Sequence, residues 1–318
     1  MKSKSVKSAI ICFIAIFVLV NIIEAQTPSI LNQEFDLAGE PARETQYFTM
    51  ESRLISYALD GKRIGTDIFR LFLKCIPSKI AGKESDEYTC VRFSIQQGDG
   101  TEVTIPVLEN WKYIFIEEGI DEQGQVFGID HSKFENLADS NGNTIPPDKS
   151  YHVYNAFIDF HAFCNVFAGK APEGSGIQDL TKIGQKIVHA AAFTEPPVNL
   201  GSNISEGSFF KNGEITLKFK GLSVVNGKDC ALVEYDSGES SFKMIMNPMP
   251  NMEVQTTGSS HYKGDIYKDL KTNWVQKATM IEFVISETTL PMPPNKINSI
   301  NERQIIIRNV SEEEFSVN

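Results

Sequence analysis

Beyond about residue 46 the chain alternates apolar and polar positions, and short turn-forming groups interrupt the alternation. Residues 66–75 set Phe69, Leu71, Leu73 and Cys75 on one face and Arg70 and Lys74 on the other. Residues 88–95 set Thr89, Val91, Phe93 and Ile95 opposite Tyr88, Cys90, Arg92 and Ser94. A period of two marks half-buried antiparallel strands. Asp60-Gly61, Asn226-Gly227, Asp236-Ser237-Gly238 and Asp121-Glu122-Gln123-Gly124 read as hairpin turns, since Gly, Asn and Asp tolerate the positive φ of tight loops. Further strands are expected at 214–222, 229–235, 241–246, 252–257, 261–270, 273–286 and 303–310. Their links are short, so an up-and-down meander is the simplest topology. Pro248, Pro250 and the prolines of 291–294 predict bends that a central strand could not accept.

One stretch follows a different period. Ile177, Leu180, Ile183, Ile187, Val188 and Ala191 recur every three or four residues, with Gln178, Lys182, Gln185 and His189 opposite them. That stripe predicts an amphipathic helix around 177–192, opened after Ser175-Gly176 and stopped by Pro196-Pro197. The expected fold is therefore mainly β: antiparallel meander sheets, half-barrel or sandwich-like, with this one helix. The regions run as a signal peptide at 1–25, a flexible lead at 26–42, a β-rich part at 43–170, the helix and linker at 171–210, and a β meander at 211–318.

The start of the chain is an export tag. Lys2, Lys4 and Lys7 precede an uncharged apolar run from Ala9 to Val20, and Ala25 supplies a small residue for cleavage. The run is shorter than the ~20 residues that cross a bilayer as a helix. Cleavage after Ala25 and a secreted or periplasmic destination are expected, with no membrane span thereafter. Sequons at Asn203 and Asn309 matter only in a host that glycosylates exported proteins.

Composition narrows the function classes. A chain of 318 residues with 41% hydrophobic and 10% aromatic residues is globular rather than disordered. Thirty basic residues against 41 acidic ones give a formal charge of −11, which excludes a broad basic face for nucleic acid or anionic lipid.

The chemically richest segment is 151–167, from Tyr151 to Phe167. As a strand it would place Asn155, Phe157, Asp159, His161, Phe163, Asn165 and Phe167 on one face. Asn155, Asp159, His161 and Phe163 are then candidate ligand-binding residues. Asp159 and His161, completed by His131, His152 or His261, are an alternative metal site, although no H-E-x-x-H or C-x-x-C motif supports it. The simpler reading pairs Asp159 structurally with His161 or a backbone amide. Asp139, Asn141 and Asn143 resemble the start of a calcium loop, but Thr144 and Ser150 stand where an EF-hand needs Gly and a carboxylate. An Asx turn is expected there instead.

Cys12 leaves with the signal, so Cys75, Cys90, Cys164 and Cys230 remain. A Cys75–Cys90 disulfide would close a hairpin, but the two fall on opposite phases of their strands unless a bulge realigns them. Buried free thiols are the other reading. Motifs for nucleophilic catalysis are missing, and Gly174-Ser175-Gly176 lacks the remaining residues of a phosphate loop. No cofactor is expected.

In its order of elements, a signal peptide followed by a meander and an amphipathic helix, the chain is similar to periplasmic lipid carriers and sorting proteins. That resemblance implies a half-open barrel, capped by helices, around an apolar cavity. The expected role is non-enzymatic: an exported protein binding a lipid or other apolar ligand, a partner or an envelope component. The alternative is a metal-assisted hydrolase or metal-binding protein using Asp159 and His161.

Overall fold

Thirteen strands form one antiparallel sheet in a computed structural model that describes residues 30–80, 82–116, 125–193, 205–249 and 252–317. The signal peptide, its cleavage site, the 121–124 turn, Pro250, the Pro196-Pro197 stop and Asn203 of the first sequon lie outside the described residues. The strands are β1 (Gln46–Tyr57), β2 (Arg63–Ile80), β3 (Lys83–Gln96), β4 (Glu102–Thr104), β5 (Trp111–Ile114), β6 (Lys186–Val188) and β7 (Phe209–Lys211). The meander continues as β8 (Thr216–Val225), β9 (Lys228–Asp236), β10 (Ser240–Met249), β11 (Met252–Asp269), β12 (Val275–Thr289) and β13 (Lys296–Val310).

The main path runs β4-β3-β2-β1-β13-β12-β11-β9-β8-β6, so β1 lies between β2 and β13 and joins the two halves of the chain. The expected N-terminal and C-terminal β regions thus share one sheet, which is open rather than closed into a barrel. The long β11 divides it, pairing with β9 through its last residues and with β10 through its first. Free ends of the path are three-residue strands, the usual protection against edge-to-edge aggregation. Several expected turns are present. Asn226 and Gly227, at φ 52° and 75°, close the two-residue β8–β9 loop.

The helix lies where a strand was expected. Pro147–His161 form α1, which continues as a π-helical turn over Ala162–Val166. The expected helix around 177–192 is instead a short 3₁₀ turn (Ile177–Asp179), strand β6 and a second 3₁₀ turn (Ala190–Phe193). Gly184 explains that failure: it sits at φ 92°, a left-handed conformation inside the proposed stripe. In 151–167 both periods fit, and length decides, because an uninterrupted run of this size suits a helix rather than a strand. Pro147 at the first helical position and Asp148 in the first turn favour the same outcome.

Aromatic contacts place α1 inside the sheet. Phe157 stacks on Phe93 of β3 at 5.9 Å, Phe160 meets Phe48 of β1 edge-on at 5.1 Å, and Phe163 stacks on Tyr235 of β9 at 5.0 Å. Strands β3 and β9 are six steps apart along the path, or about 29 Å at the usual strand spacing. A helix is only ~10 Å across. It reaches both strands because the sheet curves around it. The half-barrel expectation holds, but a helix fills the interior, and one continuous hydrophobic core runs from Leu37 to Ile307.

Two flanking pieces complete the packing. The lead at 26–42, expected to be flexible, is pinned over its described part: Phe35 packs edge-on against Phe219, and Trp274 Nε1 donates to the Ala42 carbonyl at 2.8 Å. Buried Lys268 donates to the carbonyls of Leu37 and Ala168 at 2.7 and 2.6 Å, tying the lead to the end of the α1 segment. On the outer face, Phe315 of α2 (Glu312–Val317) covers Tyr47 and Phe72. Asn309, in the second sequon, is buried with its amide donating to Gln46 Oε1 at 2.6 Å, so the folded chain offers no acceptor there.

Cys75 and Cys90 show how local irregularity defeats simple phase counting. A bulge opposite Phe72 and Leu73 brings Cys90 onto the inner face with Cys75. They are diagonal, not opposite, since Cys75 faces Tyr88 and Cys90 faces Leu73, and both are free thiols. The disulfide is not formed. Phe160→Ala should cost about 3–5 kcal/mol in chemical denaturation, as expected for emptying a packed aromatic site; a change below ~1 kcal/mol would contradict the internal helix.

Candidate functional site

Helix formation separates the residues that the strand reading had grouped. His161 and Phe163 are buried on the side of α1 facing the aromatic core, whereas Asn155 and Asp159, one turn apart, lie on a half-buried face. These four candidates do not share one surface.

His161 is the centre of a directional polar chain. Its Nε2 lies 2.8 Å from the Tyr113 hydroxyl and its Nδ1 2.9 Å from Asn165 Oδ1. Since an amide oxygen only accepts, Nδ1 carries the proton, and Tyr113 O–H donates to Nε2. Asn165 Nδ2 in turn donates to the Tyr88 hydroxyl at 3.3 Å, and Tyr88 faces Cys75 across the β2–β3 pair. Tyr88, Phe115 and Phe160 pack around the imidazole. Burial holds its pKa down at about 3, so the ring is neutral. Both nitrogens are committed and the site is closed to water. This is a satisfied core histidine.

Asp159 belongs to a different cluster. Its carboxylate pairs with the Arg303 guanidinium at 2.5 Å, and Arg303 Nε also donates to Glu282 Oε2 at 2.7 Å. Ser260 donates to the other Glu282 oxygen at 2.9 Å. Glu282 and Arg303 are register partners on β12 and β13, and both point inward. Two carboxylates thus share one cation at low exposure. Burial, assisted by Glu282, outweighs the guanidinium and raises Asp159 to about 6. Arg303 is held protonated by the same pair. Lys149 near the start of α1 makes a second tie, to Asp67 of β2 at 3.0 Å.

The other proposed metal ligands are dispersed. His152 on α1 packs against Phe69 of β2, His131 opens a 3₁₀ turn, and His261 on β11 pairs with Asp236 at 2.9 Å. Among the described residues no group of three or more His, Cys, Asp or Glu could hold a metal ion. The strand geometry that would have brought Asp159 beside His161 is absent, because residues two apart on a helix point away from each other. Asp139 accepts from the amides of Asn141 and Asn143 at 2.9 and 2.8 Å, the expected Asx turn. Gly174-Ser175-Gly176 precedes only a three-residue 3₁₀ turn.

Sequence reasoning missed Glu282, Arg303 and a polarity reversal along β12. The inward Ala278 and Met280 are buried, but two residues further on the inward position is Glu282. From that point the larger apolar residues face outward, with Val284 left on the inner side: Ile281, Phe283 and Ile285 are between 42% and 60% exposed. Alternation across 281–286 was visible as a signal, yet its direction was not.

No known protein-family model matches the chain, and no curated protein matches it. Among solved structures, the chain is similar to OmpF of Salmonella typhi in its daunomycin complex at 7% identity, covering 84% of this chain and 97% of that one. The TM-score is 0.20, a superposition too poor to bear on fold or function.

His161→Phe preserves the ring but strands the Tyr113 hydroxyl and the Asn165 amide; we expect a loss of about 2–4 kcal/mol in urea denaturation. Asp159 has a folded pKa above its ordinary 3.8. The native state therefore holds the extra proton between about pH 4 and 6, and stability falls as pH rises through that window. Asp159→Asn should flatten this fall, worth on the order of 3 kcal/mol, in unfolding free energies measured across it.

Proposed function

We propose that the protein is an exported, non-enzymatic binding protein that engages a partner or envelope component through the outer face of its sheet. The observation that carries this reading is the reversal on β12: an interior occupied by a helix, and apolar side chains turned outward beyond it. Ile281, Phe283 and Ile285 form a row on the outer face. Ile300 and Tyr57 continue it on the neighbouring strands, since Ile285 faces Ile300 and Ile300 faces Tyr57. Contiguous exposed apolar surface on a sheet is characteristic of interaction sites. The N-terminal lysines and apolar run support export, which gives such a surface access to envelope material.

The cavity form of binding, implied by the resemblance to lipid carriers, has less support, because Phe157, Phe160 and Phe163 occupy the concave side. The metal reading loses its shared face once Asp159 and His161 separate.

Phe283→Ser with Ile285→Ser should leave the unfolding free energy within ~0.5 kcal/mol, as both side chains are exposed. The same pair should lower anilinonaphthalene sulfonate fluorescence several-fold. An unchanged dye signal would locate the apolar binding surface elsewhere.

A further inference from the structure

Exposed apolar residues gather at one end of the sheet, beyond the level of Arg303. Two hairpin tips lie at that end, because β1 pairs antiparallel with both β2 and β13. The β1–β2 tip carries Leu59 and Ile64, and the β12–β13 tip carries Met292 and Ile297; these four are 46–71% exposed. Ile64 is the residue that a bulge leaves without a register partner, since Ser56 faces Gly65 and Tyr57 faces Arg63. Each tip sets cations beside its apolar residues: Lys62 and Arg63 in the first, Lys296 in the second. Among the described residues neither Lys62 nor Arg63 has an acidic partner at salt-bridge distance, while Lys296 pairs with Glu287 at 2.7 Å. Asp60 is the acidic residue within these two tips, and its carboxylate accepts the Lys62 amide of its own turn at 3.0 Å.

In a chain of formal charge −11 the apolar β1–β2 tip thus carries two cations, Lys62 and Arg63, against the single carboxylate of Asp60. Beside it, Arg63, Ile64, Gly98 and Gly100 line an open depression of about 490 Å³. Apolar tips flanked by lysine and arginine suit the boundary between acyl chains and phosphate headgroups, where the apolar groups enter and the cations meet phosphate. The acidic remainder of the surface would be repelled by an anionic bilayer, so such a surface would meet the protein tip first.

We propose that the paired hairpin tips dock the protein on a phospholipid surface. This goes beyond the outer-face reading above, since the tips lie apart from the Ile281–Ile285 row, and it names lipid as the partner.

The test is sedimentation with vesicles of phosphatidylcholine, with and without phosphatidylglycerol. It uses the chain from Gln26 onward, because the apolar run at 9–20 would bind vesicles by itself. The protein should co-sediment, and more so with phosphatidylglycerol. Leu59→Asp with Ile64→Asp should weaken partitioning at least tenfold without changing the circular dichroism or melting temperature. Lys62→Glu with Arg63→Glu should remove the preference for phosphatidylglycerol. A protein that sediments with neither vesicle, or equally well after both pairs of substitutions, overturns the lipid proposal. If it then self-associates in sedimentation velocity, and Phe283→Ser abolishes the association, the outer-face reading survives with a second copy as partner. Absence of self-association as well overturns the lipid proposal and removes a second copy as the outer-face partner.

Discussion

The packing of α1 aromatic side chains against the inner face of the sheet is the contact from which the remaining architecture follows. Phe157, Phe160 and Phe163 touch strands at both sides of the path, and only a curved sheet can meet them all. Burying three such rings stabilises by several kcal/mol. It also fills the concave side at that level, where protein side chains take the space a ligand would need.

The helix covers only part of each strand. At the level of Asp159 and Lys149 the inner face becomes ionic, with Arg303, Glu282 and Asp67 meeting the helix. Buried charges need partners to offset desolvation, and the shared guanidinium supplies them. Past this level the inner face mixes Ser299, Asn301 and Ser286 with Val284 and Ile297, while the outer face carries the row Ile281, Phe283 and Ile285. Near α2 the outer face is covered by Phe315; along Ile281, Phe283 and Ile285 it is not. One partial cover thus produces both the ion cluster and the exposed stripe.

Strands and tight turns were readable because period two and the Asn-Gly or Asp-Gly pairs act locally. β9 lies within a residue of its expected bounds, and β11 fuses two expected strands into one. The helix was misplaced for a physical reason as well. In 151–167 apolar residues are so dense that both periods find a face, and only length and the preceding prolines separate them. At 177–192 the stripe was real, but Gly184 breaks it. The candidate site was half legible: Asp159 was singled out, but its partners lie over a hundred residues away on β12 and β13, and pairing at that range leaves no local trace. The β3 bulge that realigns Cys90 is likewise invisible to alternation counting.

If the sheet is folded around α1, amides of residues 152–163 should be among the slowest to exchange with deuterium, protected as well as the central strands β1, β12 and β13, because opening the helix would require opening the core. Hydrogen–deuterium exchange followed by mass spectrometry measures this segment by segment. Rapid exchange of 152–163 beside protected strands would show a helix resting loosely on the sheet, and would return the interior to use as a binding cavity.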